Sequence, residues 1–178
     1  MQSPNIVPEM AKPPDLQICV LLLKQDDPRK CTAAKLAKFG FARALYTFRQ
    51  IPRRSLLLNP IAPHALLPND KNIPCLVAID CSWEKASSQL SRVFPGFARK
   101  LPTLLAANPT NYAKKHKLSS AEALAAASFI IGYKDVAEKL LSLFKWGETF
   151  LTLNREPLEA YSSAKSEKEL SEIETQFF

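Results

Sequence analysis

Two short runs constrain the fold of this chain more than any other feature. Residues 16–23 (LQICVLLL) are apolar almost throughout, and 76–80 (LVAID) are apolar up to a terminal carboxylate. A strand without polar alternation has both faces covered, as in a parallel sheet packed between helices. The residues around these runs fit such a sheet. A short helix is predicted over 33–39, ended by Gly40. Segments 41–48 and 55–58 read as short strands, and 59–74 as a loop punctuated by Pro60, Pro63 and Pro68. Ser82 has the chemistry of an N-cap for a helix from 83 to about 93. Segment 101–107 (LPTLLAA) is the last strand candidate.

Beyond that point the pattern becomes helical. Ser119 and Glu122 have capping-box spacing, followed by a small-residue helix over 121–131 closed by Gly132. In 135–144, Val136, Leu140, Leu141 and Phe144 share one face. Segments 157–162 and 166–177 read as further helices. The expected architecture is therefore an α/β first part with a parallel sheet and an all-α second part. The boundaries are a leader at 1–15, an α/β domain at 16–107 and a helical domain at 108–178.

Charge narrows the function classes. The formal net charge is +7, and the residues after Asn154 hold three bases and six acids. Residues 1–154 thus carry 21 bases against 11 acids, a net +10. A basic body with an acidic tail suits a polyanionic partner. No apolar run has the length of a membrane span, and the leader has no signal-peptide core. The cysteines Cys19, Cys31, Cys75 and Cys81 form no CxxC, and the only histidines are His64 and His116. Reduced thiols, a cytoplasmic location and no metal site are expected.

Ligands of parallel α/β sheets bind at the carboxyl ends of strands. Three segments fall there: DDPRKCT after the first strand, Leu58-Asn59-Pro60, and Asp80-Cys81-Ser82-Trp83. There is no glycine-rich phosphate loop among the four glycines. A nucleoside without phosphates, held by apolar walls and backbone groups, fits better. Basic clusters lie in predicted loops: Arg29 with Lys30, Arg53 with Arg54, Arg99 with Lys100, and Lys114, Lys115 and Lys117 beside Tyr112 and His116. Phosphate contacts with a nearby aromatic are what single-stranded RNA recognition needs.

Six blocks occur in an order and spacing that resemble one family: DDPRKCTAAKLAKFG (26–40), SLLLNP (55–60), AIDCSW (78–83), LPTLLAANPTNY (101–112), KLSSAEALAAA (117–127) and FKWGETFLTLN (144–154). Together they resemble the ribosome-biogenesis aminocarboxypropyltransferases of archaea and eukaryotes, over about residues 16–161. The resemblance implies an N-terminal domain similar to SPOUT-class methyltransferases, with a deep trefoil knot, followed by a helical domain. It implies S-adenosylmethionine as donor and small-subunit rRNA, or a pre-ribosomal particle, as partner. A monomer without membrane attachment is expected, because the helical domain covers the surface through which SPOUT proteins often dimerise.

The same resemblance implies a site. Thr32 matches a threonine that approaches the ligand. Ile79 and Asp80 match the strand-end pair, a backbone facing the ribose and the acidic residue of the pocket. Trp83 and Ala86 match the walls of the sulfonium region. Leu101 matches a backbone contact to adenine, Leu58 and Pro60 its apolar floor, and His116 and Ser120 complete the set. The family's NYGRP-like segment is Asn111, Tyr112, Ala113, Lys114, Lys115 here, without its glycine and proline, and Ala33 replaces a frequent glycine.

The implied reaction is transfer of the 3-amino-3-carboxypropyl group to N3 of a pseudouridine, with Trp83 and Ala86 hiding the methyl and Asp80 steadying the sulfonium or assisting deprotonation. Two other functions fit the same residues: an RNA methyltransferase attacking the other carbon, and a non-catalytic rRNA-binding assembly factor.

Overall fold

The computed structural model describes residues 15–23, 31–80 and 94–178. The expected leader up to residue 14, the loop holding Arg29 and Lys30, and the expected helix with Trp83 and Ala86 lie outside the described residues. The protein is α/β with a parallel sheet. Its strands are β1 (Gln17–Leu22), β2 (Arg43–Leu45), β3 (Leu56–Leu58), β4 (Cys75–Asp80) and β5 (Phe97–Arg99). They lie in the order β2-β1-β4-β3-β5, every described pair parallel. The two apolar runs become β1 and β4, the adjacent central pair, in register Gln17↔Cys75 to Leu22↔Asp80.

The period of two explains why both runs are apolar throughout. Ile18, Val20, Leu56, Leu58, Leu76 and Ala78 join the larger core, shared with the helices. Cys19, Leu21, Leu45, Leu57, Cys75 and Val77 join a second cluster with Ile51 on the opposite face. Each fully buried leucine contributes about 2 kcal/mol.

The helices are α1 (Thr32–Lys38), α2 (Ser120–Ile130), α3 (Lys134–Leu141), α4 (Gly147–Leu153), α5 (Arg155–Tyr161) and α6 (Glu167–Phe177). Helix α2 is buried nearly all round, from Ala121 to Ile130. Its alanines let it pack closely against α1, α3, α5 and the sheet. Its start is the expected capping box: Glu122 N–H donates to Ser119 Oγ at 3.3 Å, and Ser119 N–H donates to Glu122 Oε2 at 2.7 Å. Beyond its end, Gly132 takes φ +95°, a value that L side chains rarely adopt. One core cluster joins sheet and helices, reaching from Ile18 to Leu170.

Five elements differ from the sequence expectation. Segment 41–48 contributes only Arg43–Leu45 to the sheet, and a 3-10 turn, Phe48–Gln50, follows. Strand β5 and helix α4 were not foreseen; β5 is three residues long, and α4 begins at the glycine of the KWG block. Helix α3 stops at Leu141, and Phe144 is buried from the turn beyond it. Segment 101–107 is not a strand. It forms a single isolated bridge, Leu105↔Lys115, and is otherwise extended chain. Pro102 has no N–H for a ladder, and the polar groups around it are taken by side chains of the helical part, as described below.

Gly147 is fixed by close approach. A Cβ there would overlap the carbonyl of Leu141, at the end of α3. We expect Gly147→Ala to destabilise the fold by about 3 kcal/mol, lowering Tm by roughly 10 °C for a chain of this size. A thermal melt of the variant that overlays the wild type would contradict this packing.

Candidate functional site

A cavity of about 1170 Å³ opens at the carboxyl edge of the sheet, between the strand ends and the helical part. That volume lies just above the usual range for small-molecule sites. Each element delivers part of its wall. Leu58 ends β3 and Pro60 follows it; Ile79 and Asp80 end β4; Leu101 follows β5. Thr32 opens α1, Ser120 opens α2, and His116 lies in the loop that leads into α2. The eight described residues singled out in the sequence therefore line one cavity, although they are spread over 89 positions of chain. Trp83 and Ala86 lie outside the described residues.

Asp80 has a partner that sequence reading did not supply. The Cys31 thiol donates to Asp80 Oδ2 at 2.9 Å, while Cys31 Sγ accepts from Ala34 N–H at 3.1 Å as the N-cap of α1. Burial, and then the bond to Asp80, push the Cys31 thiol up to about 12. Cys31 is thus a neutral donor that orients Asp80, and it is no nucleophile. The adjacent Thr32 ties the same loop to α2, its Oγ1 accepting from Ala121 N–H at 3.2 Å.

The segment after β5 forms another wall, and side chains hold it. Thr103 N–H donates to Glu174 Oε1 at 2.6 Å, and the Tyr161 hydroxyl donates to Thr103 O at 3.0 Å. Asn154 takes both backbone groups of Leu105, accepting from its N–H at 2.8 Å and donating to its carbonyl at 2.9 Å. Glu122 is fully buried and receives four donors. Its Oε1 accepts from the N–H of Ala107 (2.7 Å) and Asn108 (2.9 Å), and its Oε2 from Asn108 Nδ2 (2.8 Å) and Ser119 N–H (2.7 Å). A buried carboxylate is tolerated when its lone pairs are filled in this way. One side chain thus fixes the 107–108 wall against the start of α2.

Between those points the loop carries two non-glycine residues at positive φ, Ala113 at 60° and His116 at 57°. At Ala113 the resemblance noted above implies a glycine. The backbone keeps the left-handed conformation that glycine favours and accepts a cost of about 1 kcal/mol for the side chain.

The last wall comes from the C-terminal segment. The acidic tail folds as α6, and its Glu167, Leu170, Ser171 and Glu174 line the cavity. Its sequence predicts an acidic tail with a helix over 166–177, and only tertiary packing brings that helix to the site. Trp146, from the KWG block, also lines the cavity, stacked on Phe144 at 4.9 Å between ring centroids.

The basic candidates separate. Lys100 lines the cavity. Arg53, Arg54, Lys114 and Lys117 are exposed. Arg99 is paired with Asp70, its Nε donating to Oδ2 at 3.1 Å, and Lys115 donates to the backbone oxygen of Phe178 at 2.8 Å. Arg29 and Lys30 lie outside the described residues. Among the described residues, no group of three His, Cys, Asp or Glu is placed to hold a metal ion, and no helix is long and apolar enough to cross a membrane.

Comparison with known proteins bears directly on this cavity. Residues 56–178 match the family described as "Ribosome biogenesis protein, C-terminal". A protein of Methanosarcina mazei named 16S rRNA aminocarboxypropyltransferase is 44% identical over 169 residues, covering 92% of this chain and 95% of the relative. The chain belongs to this family. A relative of the same name from Halobacterium salinarum is 46% identical over 149 residues, covering 84% of this chain and 88% of its own. Among solved structures, the SAM-dependent rRNA:acp-transferase Tsr3 from Vulcanisaeta distributa superposes with a TM-score of 0.80 at 36% identity, covering 90% of this chain and 97% of that one.

Residues 16–47 also match a domain described as "Possible Fer4-like domain in RNase L inhibitor, RLI". Iron–sulfur clusters of that type take four thiolates. This segment holds two cysteines, Cys19 inside β1 and Cys31 capping α1, so its donor set does not fit a cluster.

Two outcomes follow from these contacts. Glu122→Gln turns an amide NH2 toward two of the four donors, and we expect about 3 kcal/mol of destabilisation in denaturant unfolding; unchanged stability would refute the four-donor clamp. The Cys31 thiol ordinarily ionises near 9.0 and is raised in the fold. Its contribution to stability is therefore complete below pH 9 and is lost as pH rises toward about 12. Iodoacetamide should label Cys31 in the native protein more slowly than in urea between pH 8 and 10, as read by peptide mapping; equal rates would remove the Asp80 contact.

Proposed function

We propose that this chain transfers the 3-amino-3-carboxypropyl group of S-adenosylmethionine to N3 of a pseudouridine, N1-methylated or not, in small-subunit rRNA during ribosome biogenesis. The carrying observation is the cavity itself. Thr32, Leu58, Pro60, Ile79, Asp80, Leu101, His116 and Ser120 converge on it, in a chain 44% identical to a named 16S rRNA aminocarboxypropyltransferase.

The residues present fit such a donor. The cavity has an apolar floor in Leu58, Pro60 and Leu101, a carboxylate in Asp80, and no phosphate-binding glycine loop. S-adenosylmethionine brings a sulfonium whose substituent carbons are electrophilic. In the transfer, N3 loses its proton and bonds to the γ-carbon as the carbon–sulphur bond breaks, and methylthioadenosine leaves. Which carbon reacts is decided by which one faces the nucleophile in line. In this reading Trp83 and Ala86 hide the methyl group, so the amino-acid arm faces the RNA. Asp80, oriented by the Cys31 thiol, places negative charge near the sulfonium or assists loss of the N3 proton. The mobile partner of the reaction is RNA, so water exclusion falls to the walls formed by α6 and the 101–108 segment.

The same reading carries a SPOUT-type deep trefoil knot in the 16–107 part, a helical domain over 108–178, a monomer, and a cytoplasmic location. These extend the α/β parallel-sheet fold and rest on the family resemblance.

The deciding experiment uses donor labelled in either of two places. Recombinant protein, small-subunit rRNA and S-adenosylmethionine labelled at the carboxyl carbon should give labelled RNA, while methyl-labelled donor should not. Trp83→Ala should weaken donor binding by calorimetry and slow the transfer. Label arriving from the methyl group would make the chain a methyltransferase. RNA binding without transfer of either label would make it an assembly factor.

A further inference from the structure

The longest charge-segregated stretch of the described chain runs from α1 through the edge strand β2 to the loop after β3. Residues 31–69 contain six bases, Lys35, Lys38, Arg43, Arg49, Arg53 and Arg54, and not one carboxylate. Arg43, Arg49, Arg53 and Arg54 are exposed, and none of the described ion pairs involves them. Between Arg43 and Arg49 in sequence stands Tyr46, 57% exposed, one of the few large side chains left in solvent.

The backbone beneath Tyr46 is already ordered. Gln50 Oε1 accepts from Tyr46 N–H at 2.7 Å and from Thr47 N–H at 3.1 Å. Phe48 packs against Phe94 at 5.4 Å between centroids, and Ile51 is buried in the second core cluster. The turn is therefore anchored on one side while the Tyr46 ring is left outside, so a base stacking on it would order little else.

Its position fits a role beside the cavity. Tyr46 directly follows β2, whose Leu45 lies beside Leu21, which lies beside Ile79. Two strand spacings separate β2 from β4, so Tyr46 follows the sheet's carboxyl edge roughly 10 Å from the Asp80 strand end. A-form duplexes hide base faces, whereas single-stranded segments present them to aromatic side chains.

We propose that Tyr46, with Arg49 on the same turn, is a docking platform for the single-stranded rRNA segment beside the target nucleotide. The ring stacks on one unpaired base, and Arg49 meets a phosphate beside it. The proposal rests on the rRNA-modification reading for the identity of the strand, but it is tested by binding alone.

The test measures anisotropy of a labelled single-stranded oligouridylate with the full chain. Tyr46→Ala should raise Kd about tenfold, the usual scale for loss of one stacked base, and Tyr46→Phe should stay within about twofold of wild type. Arg49→Ala should flatten the plot of log K against log salt by about 0.7. Affinity for S-adenosylmethionine should not change in any variant, since none touches the cavity. Tyr46→Ala binding within about twofold of wild type, or a wild-type chain indifferent to oligouridylate, overturns the platform. If the chain transfers no label from the donor yet Tyr46→Ala still loses RNA affinity, the enzymatic reading fails and the platform stands.

Discussion

The extended segment after β5 depends on side chains from the helical part for its hydrogen bonds, and the site depends on that segment. Pro102 rules out a regular ladder, and Thr103, Leu105, Ala107 and Asn108 instead meet Glu174, Tyr161, Asn154 and Glu122. Buried backbone groups must find partners somewhere. Here the partners come from α2, α5, α6 and the Asn154 junction, so the sheet's carboxyl edge and the helices cannot separate without exposing unsatisfied polar groups. The cavity wall is consequently as well determined as a strand would be, without occupying a place in the sheet.

The acidic C-terminal segment takes a different meaning in this frame. Its glutamates are the excess acids of the sequence, yet Glu174 is a structural acceptor and Glu167 meets His64 Nδ1 at 3.1 Å. Leu170 is buried in the main core. One side of the cavity is therefore acidic and folded down, while Lys100 lines the cavity, and Lys114 and Lys117 stand exposed on the loop that carries His116.

Backbone strain in the loop that carries His116 is absorbed locally. Ala113 holds a left-handed backbone with a side chain in place. The loop is closed on both sides by hydrogen bonds, Ala113 N–H to Ala106 O at 2.7 Å and Ala106 N–H to Lys114 O at 3.1 Å. Those bonds over-determine the turn and offset the strain of a side chain at that φ.

The sequence by itself determined the elements whose signals are local. The unbroken apolar runs of β1 and β4 required burial on both faces, the Ser119–Glu122 box started α2, and Gly132 followed its end. The family blocks carried the residues of the cavity, because ligand-facing positions cluster at strand ends and helix starts. Tertiary structure alone decided the rest. No local pattern distinguishes LPTLLAA as a side-chain-clamped wall from a strand, since its partners lie from 15 to 71 positions away. Likewise the Cys31–Asp80 bond and the turn of α6 onto the cavity arise from packing between distant segments, which periodicity and capping cannot encode.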